Sequence, residues 1–134
     1  MEMNEYRILH SQVIEQYQLI EFHLEGLVAI MQSNGKNFLE LAKRVENDAM
    51  GELIRKVQFL IKELNYRDIL TFNDFSVLDR IRDDRNFYCH ENFLINKSKN
   101  YELKESKKIK DDLAIAINMN KVLKKAFEII KKTK

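Results

Sequence analysis

The chain has 134 residues, of which 45% are hydrophobic and 33% charged, and it contains three glycines, one cysteine and no proline. This length suits one domain with one hydrophobic core, and a lone cysteine excludes an internal disulfide. The abundance of Leu, Ile, Lys and Glu and the scarcity of turn residues exclude a strand-rich sandwich. The same composition argues against a glycine-rich phosphate loop or a Rossmann fold.

The first predicted element is a long amphipathic helix from about Asn4 to Ser33. Its apolar stripe has two sets of positions that each recur every seven residues: Tyr6, Val13, Ile20 and Leu27, with His10, Tyr17, Leu24 and Met31 offset from them. The pair Asn34-Gly35 then supplies a stop signal. This stripe predicts the face of the helix that packs into the core of a bundle. If the stripe is wider than the core covers, the remaining apolar residues would serve a dimer interface.

The middle of the chain continues the helical pattern. Residues from Asn37 to about Asn65 form one helix or two, with Gly51 marking a kink or break. The connector that follows ends near Asn73, where Asn73 or Asp74 is expected to cap the next helix.

The last third of the chain begins with a polar run, Asn96 to Asn100, which predicts a loop. The final helix is expected to start near Glu105. Its apolar stripe consists of Ile109, Leu113, Ala116, Leu123, Phe127 and Ile130. Short connections between helices favour antiparallel neighbours, so the sequence predicts an all-α, up-and-down antiparallel bundle of four to five helices in a single domain, residues 1–134.

Charge is distributed unequally along the chain. The formal net charge is only +2, but residues 97–134 carry 12 lysines against five acidic residues. This asymmetry suits a polyanion such as RNA or DNA, although lysines at a helix end also complement the helix dipole. The candidate RNA contacts are Arg82, Lys97, Lys99, Lys104, Lys107 and Lys108.

Export and membrane insertion are not indicated. The first residues include Glu2, Glu5 and Arg7 and lack the apolar stretch of a secretory signal. The longest uncharged run, residues 26–35, is too short for a membrane span. We therefore expect a soluble, cytoplasmic protein without a membrane partner.

The segment from Leu78 to Phe93 is unusually polar for a bundle helix. One interpretation is a solvated face with local ion pairs such as Asp79 with Arg82. The other is a functional site that includes Arg85 and His90. On an ideal helix these two side chains are about 140° apart, so joint action on one phosphate requires a helix end, local unwinding or a second subunit.

The run Arg85-Asn86-Phe87-Tyr88-Cys89-His90 resembles the signature of the HEPN superfamily, in which Arg and a polar residue are followed by a short spacer and His. The resemblance implies a metal-independent endoribonuclease that acts as a homodimer with a composite active site. It implies that His90 is the acid or base, that Arg85 stabilises the transition state and that Asn86 orients the phosphate or the imidazole. These residue types suit attack by an RNA 2′-hydroxyl, which leaves 2′,3′-cyclic phosphate and 5′-hydroxyl ends.

The resemblance also implies a biological setting. Such proteins commonly act as toxins in toxin–antitoxin pairs or in abortive phage infection, often beside a minimal nucleotidyltransferase as antitoxin. A subgroup carries Tyr two positions after the His, where that partner attaches AMP, but Asn92 occupies this position here. The alternative function is a non-catalytic helical module that binds a nucleotide or a protein partner.

The remaining candidates point to structural roles. His10 and His23 are interpreted as core or interface histidines. Cys89 and His90 do not supply the four ligands of a zinc site, so we predict neither a metal nor another cofactor. Cys89 is also a poor candidate nucleophile, because adjacent positions on a helix do not face each other.

Overall fold

The computed structural model describes residues 3–33, 37–90 and 99–134, with the side chains of all but Met3, Cys89, His90 and residues 99–106. In these ranges the chain forms helices and no strand, which confirms the predicted all-α class. The helices are α1 (Met3–Gln32), α2 (Phe38–Val45), α3 (Met50–Glu63), α4 (Phe72–His90) and α5 (Lys99–Thr133).

The long first helix follows its predicted bounds to within one residue. The apolar stripe faces the core: Tyr6, Val13, Tyr17, Ile20, Leu24, Leu27 and Met31 are all buried. The predicted stop signal at Asn34-Gly35 lies outside the described residues.

The region in which one or two helices were expected contains two, α2 and α3. The break falls just before Gly51, which lies in the first turn of α3. A Cβ atom at Gly51 would lie 3.2 Å from Cδ of Arg82, so the glycine permits close approach of α3 and α4. At the other end of α3, Asn65 has a φ of 62° and the Tyr66 amide donates to Ile61 O. This is a Schellman termination with Asn in the left-handed position.

The predicted cap of α4 was wrong by two or three residues. The Asp74 amide donates to Thr71 Oγ1, and the Thr71 amide donates to Asp74 Oδ2. Thr71 is therefore the N-cap of a reciprocal capping box, in which Asp74 takes the place of the usual Glu or Gln.

The predicted start of the last helix was also wrong, because α5 begins at Lys99 instead of near Glu105. Residues 99–105 lack an apolar period but contain neither Gly nor Pro, and Lys, Glu and Leu are good helix formers. The loop predicted from Asn96 falls partly on residues 91–98, which lie outside the described residues.

Contacts between helices fix the relative direction of α1 and α5. Asn120 on α5 bonds to Gln16 on α1, and Lys134 bonds to Ser33, so α1 and α5 run parallel. Two contacts join α4 to α1, because His10 meets Tyr88 and Glu21 meets Arg85. Within the described ranges, none of the helices is both long and apolar enough to cross a membrane.

Candidate functional site

Arg85 lies in the second-last turn of α4 and points towards α1. Its Nε atom is 2.8 Å from Glu21 Oε1, and the two side chains are 36% and 20% exposed. This half-exposed ion pair joins the first residue of the candidate motif to the middle of α1. Sequence reasoning did not single out Glu21.

Asn86 and His90 complete the candidate catalytic set. Asn86 is exposed, and His90 is the last residue of α4, with a side chain outside the described set. The helix is continuous from Arg85 to His90, which corresponds to about 7.5 Å along its axis. Local unwinding between the two residues, one of the arrangements that could bring them to one phosphate, is therefore absent.

Tyr88, in the spacer of the motif, contacts two other helices. Its side chain is buried, and its hydroxyl donates to Asp112 Oδ2 over 2.6 Å. Its carbonyl oxygen accepts from His10 Nε2 over 3.1 Å. Burial and the hydrogen bond to Asp112 strongly raise the pKa of Tyr88, so the hydroxyl stays protonated and remains a donor.

Asp112 is the centre of a charged cluster between α4 and α5. Its buried carboxylate receives Lys108 Nζ at 2.6 Å, and Arg80 Nη2 lies 3.5 Å away. Lys108 also bonds to Asp84 over 3.2 Å. A buried carboxylate is stable only when paired in this way.

The cluster changes the proton affinity of two of its members. Burial, followed by the charge of Asp112, raises the pKa of Asp84, against the opposing effect of Lys108. For Lys108, burial alone would lower the pKa, but the hydrogen bond and charge of Asp112 outweigh it, and the pKa is raised. Lys108 is therefore held as an ammonium between carboxylates.

Sequence reasoning missed Asp112, although a signal was present. Asp112 lies three residues after Ile109 and four before Ala116, so it belongs to the apolar stripe of α5. A carboxylate at such a position predicts a buried partner.

Of the predicted RNA contacts, the structure describes the side chains of Arg82, Lys107 and Lys108. Lys107 is exposed, whereas Lys108 belongs to the Asp112 cluster, and the side chains of Lys97, Lys99 and Lys104 lie outside the described set. Arg82 lies 3.8 Å from Asp79 and 3.5 Å from Asp83, as the local ion-pair interpretation predicted.

The two histidines of α1 are both hydrogen-bonded to other helices, as predicted. His10 meets Tyr88, and His23 Nδ1 lies 3.0 Å from Asn120 Oδ1. Burial lowers the pKa of His23, against a smaller effect of the Asn120 hydrogen bond. Among the described residues, no group of three or more His, Cys, Asp or Glu side chains is arranged to hold a metal ion.

An open pocket of about 310 Å³ lies between α1 and α3, away from the Arg85 motif. Its lining residues are Gln32, Glu52, Arg55, Lys56, Phe59 and Leu60. None of the predicted catalytic or RNA-binding residues contributes to it.

Comparison of this chain with family profiles, with curated proteins and with solved structures found no match.

Proposed function

We propose that this protein is a metal-independent endoribonuclease of the HEPN type. The observation that carries the proposal is the position of Arg85: its side chain is 36% exposed and lies on the same continuous helix as His90, with exposed Asn86 beside it. A permanent cation and an imidazole on one helix are the two groups that cleavage by an internal nucleophile requires.

The reaction needs no co-reactant, because the proton lost by the 2′-hydroxyl is balanced by the proton gained by the 5′-oxygen that leaves. His90 makes one of these two transfers and solvent makes the other, and Arg85 stabilises the negative charge on the phosphorane. The 2′-oxygen forms a bond to phosphorus as the bond to the 5′-oxygen breaks. The products are a 2′,3′-cyclic phosphate and a 5′-hydroxyl, and DNA, which lacks the attacking group, is not cut.

The active form in this proposal is a homodimer with a composite active site. Support comes from α1, on which Ile8, Leu19 and Phe22 are exposed on the side away from the core. A second copy of the chain that covers these residues brings two motifs into one dimer. We further propose that the enzyme is a cytoplasmic toxin or antiphage effector, controlled by an antitoxin such as a minimal nucleotidyltransferase.

One observation favours the alternative, a non-catalytic helical module that binds a nucleotide or a protein. Arg85 is paired with Glu21, and this carboxylate neutralises part of the charge that a phosphate would meet. The alternative predicts binding without cleavage.

The test is RNA cleavage by purified protein in excess EDTA. We expect the wild type to cleave RNA and leave cyclic phosphate ends, and Arg85→Ala and His90→Ala to abolish the reaction. Arg44→Ala is the matched control, because Arg44 is an exposed α2 residue that pairs with Glu40 across one helical turn. Cleavage that persists in both motif variants, or no cleavage by the wild type, contradicts the nuclease and favours the binding module.

A further inference from the structure

Tyr88 connects the end of α4 to two other helices through two different atoms. Its hydroxyl donates to Asp112 on α5 over 2.6 Å, and its carbonyl accepts from His10 on α1 over 3.1 Å. Tyr88 is 1% exposed, and its hydroxyl contact is buried, whereas the contact with His10 is part-buried. Both contacts fall inside the spacer of the Arg85–His90 motif.

The contact with His10 acts on the backbone of α4. His10 Nε2 lies 3.1 Å from the carbonyl oxygen of Tyr88, two residues before His90. The final turn of α4 is therefore tied to α1 at the level of its backbone.

The acceptor on α5 is itself fixed. The Asp112 side chain is 1% exposed and is held by Lys108 at 2.6 Å and by Arg80 at 3.5 Å. Lys108 Nζ also lies 5.1 Å from the centre of the Tyr88 ring. A carboxylate fixed from several directions gives the Tyr88 hydroxyl one orientation in which to bond.

We infer that Tyr88 and Asp112 are positioning residues for RNA cleavage, which hold the end of α4 so that Arg85 and His90 keep a fixed relation to the scissile phosphate. The inference rests on the proposed nuclease function. Tyr88 follows Arg85 by three residues and precedes His90 by two, about 4.5 Å and about 3 Å along the helix axis. A shift of its backbone is therefore transmitted directly to both residues.

The test uses Tyr88→Phe, which keeps the ring and removes only the hydroxyl. We expect kcat for RNA cleavage to fall about tenfold to a hundredfold, the loss produced by a small misplacement of catalytic groups. KM should stay unchanged, because no contact with RNA is removed. The matched control is Tyr66→Phe, which deletes a hydroxyl in the connection before α4, at the opposite end of that helix, and should leave kcat unchanged.

A second readout does not depend on activity. In protein labelled at histidine, NMR should show shifted ring resonances for His90 and His10 in Tyr88→Phe and unshifted ones in Tyr66→Phe. Asp112→Asn, which keeps the shape of the side chain and removes its charge, should shift the His90 resonances in the same way and lower kcat.

The outcomes separate the two proposals. If the wild type does not cleave RNA, the nuclease is wrong and the catalytic role of the pair falls with it. If the wild type cleaves RNA and a folded Tyr88→Phe protein has full kcat, only the inference is overturned. A fall in kcat with unshifted His90 resonances also overturns it, because the loss then does not arise from the position of His90.

Discussion

Arg85 Nε lies 2.8 Å from Glu21 Oε1, so the cation of the candidate motif is paired with a carboxylate from another helix. Glu21 is only 20% exposed, which weakens screening of this pair by solvent and salt. The carboxylate of Glu21 lowers the positive potential at the proposed site. Its removal should therefore alter how the protein binds RNA.

Glu21→Gln should bind RNA more tightly at low salt, because Arg85 becomes available to one additional phosphate. The slope of log K against log salt concentration should become steeper by about 0.7, the value for one contact with single-stranded nucleic acid. Binding is measured by fluorescence anisotropy across a salt series. Glu25→Gln, one turn further along α1, makes the same charge change without touching Arg85. An equal effect in both variants would show that only the overall charge matters.

Lys108→Met should destabilise the fold by about 2 kcal/mol, because it leaves Asp112 and Asp84 without their shared ammonium. Lys107→Met, at the exposed neighbouring position, should change the unfolding free energy by less than about 0.5 kcal/mol. Urea unfolding measures both variants. Equal stability of the two would contradict the assignment of Lys108 to the buried cluster.

Asn120 is buried between α5 and α1, and its amide group donates to Gln16 O at 3.0 Å and to Gln16 Oε1 at 2.7 Å. Asn120→Ala should lower the unfolding free energy by about 2 kcal/mol, because Gln16 and His23 lose a partner in a part-buried site. Asn118→Ala, at an exposed position of the same helix, is the control and should be close to neutral. Urea unfolding measures the midpoints of both variants, and equal midpoints would contradict the role of Asn120.

Stability should fall as the pH is lowered through the range just below about 6.5, because folding lowers the pKa of His23 from that value. In this range the unfolded chain binds the proton and the folded chain does not, so protonation favours unfolding. Above it, the contribution of neutral His23 is fully present. We expect His23→Gln to flatten this part of the curve, measured by urea unfolding between about pH 5 and about pH 7.5. A curve of unchanged slope would contradict the assignment.

Thr71→Ala should cost about 1 kcal/mol of unfolding free energy, because it removes the hydroxyl that caps the Asp74 amide. Ser76→Ala, an exposed hydroxyl inside the same helix, is the control and should have little effect. Thermal unfolding of both variants is monitored by circular dichroism. If both variants melt alike, Thr71 is not an effective cap.

Local pattern predicted the helices well where it was strong. The heptad stripe of α1 set both its bounds and its buried face, since apolar residues on one side of a long helix must face a core. Where the signal came from single residues, the prediction was less accurate. Thr71 took the cap instead of Asn73 or Asp74, and α5 began at Lys99 because helix propensity continues where the apolar period stops.

The sequence by itself determined an all-helical chain, its main helices and a polar segment that ends in Arg85, Asn86 and His90. Only the tertiary structure decided that Glu21 pairs with Arg85, that Tyr88 meets Asp112 and that Lys108 lies between carboxylates. The physical reason is the separation in sequence between the residues that interact. Helix formation depends on residues three and four apart, whereas these polar pairs depend on the rotation and register with which distant helices pack.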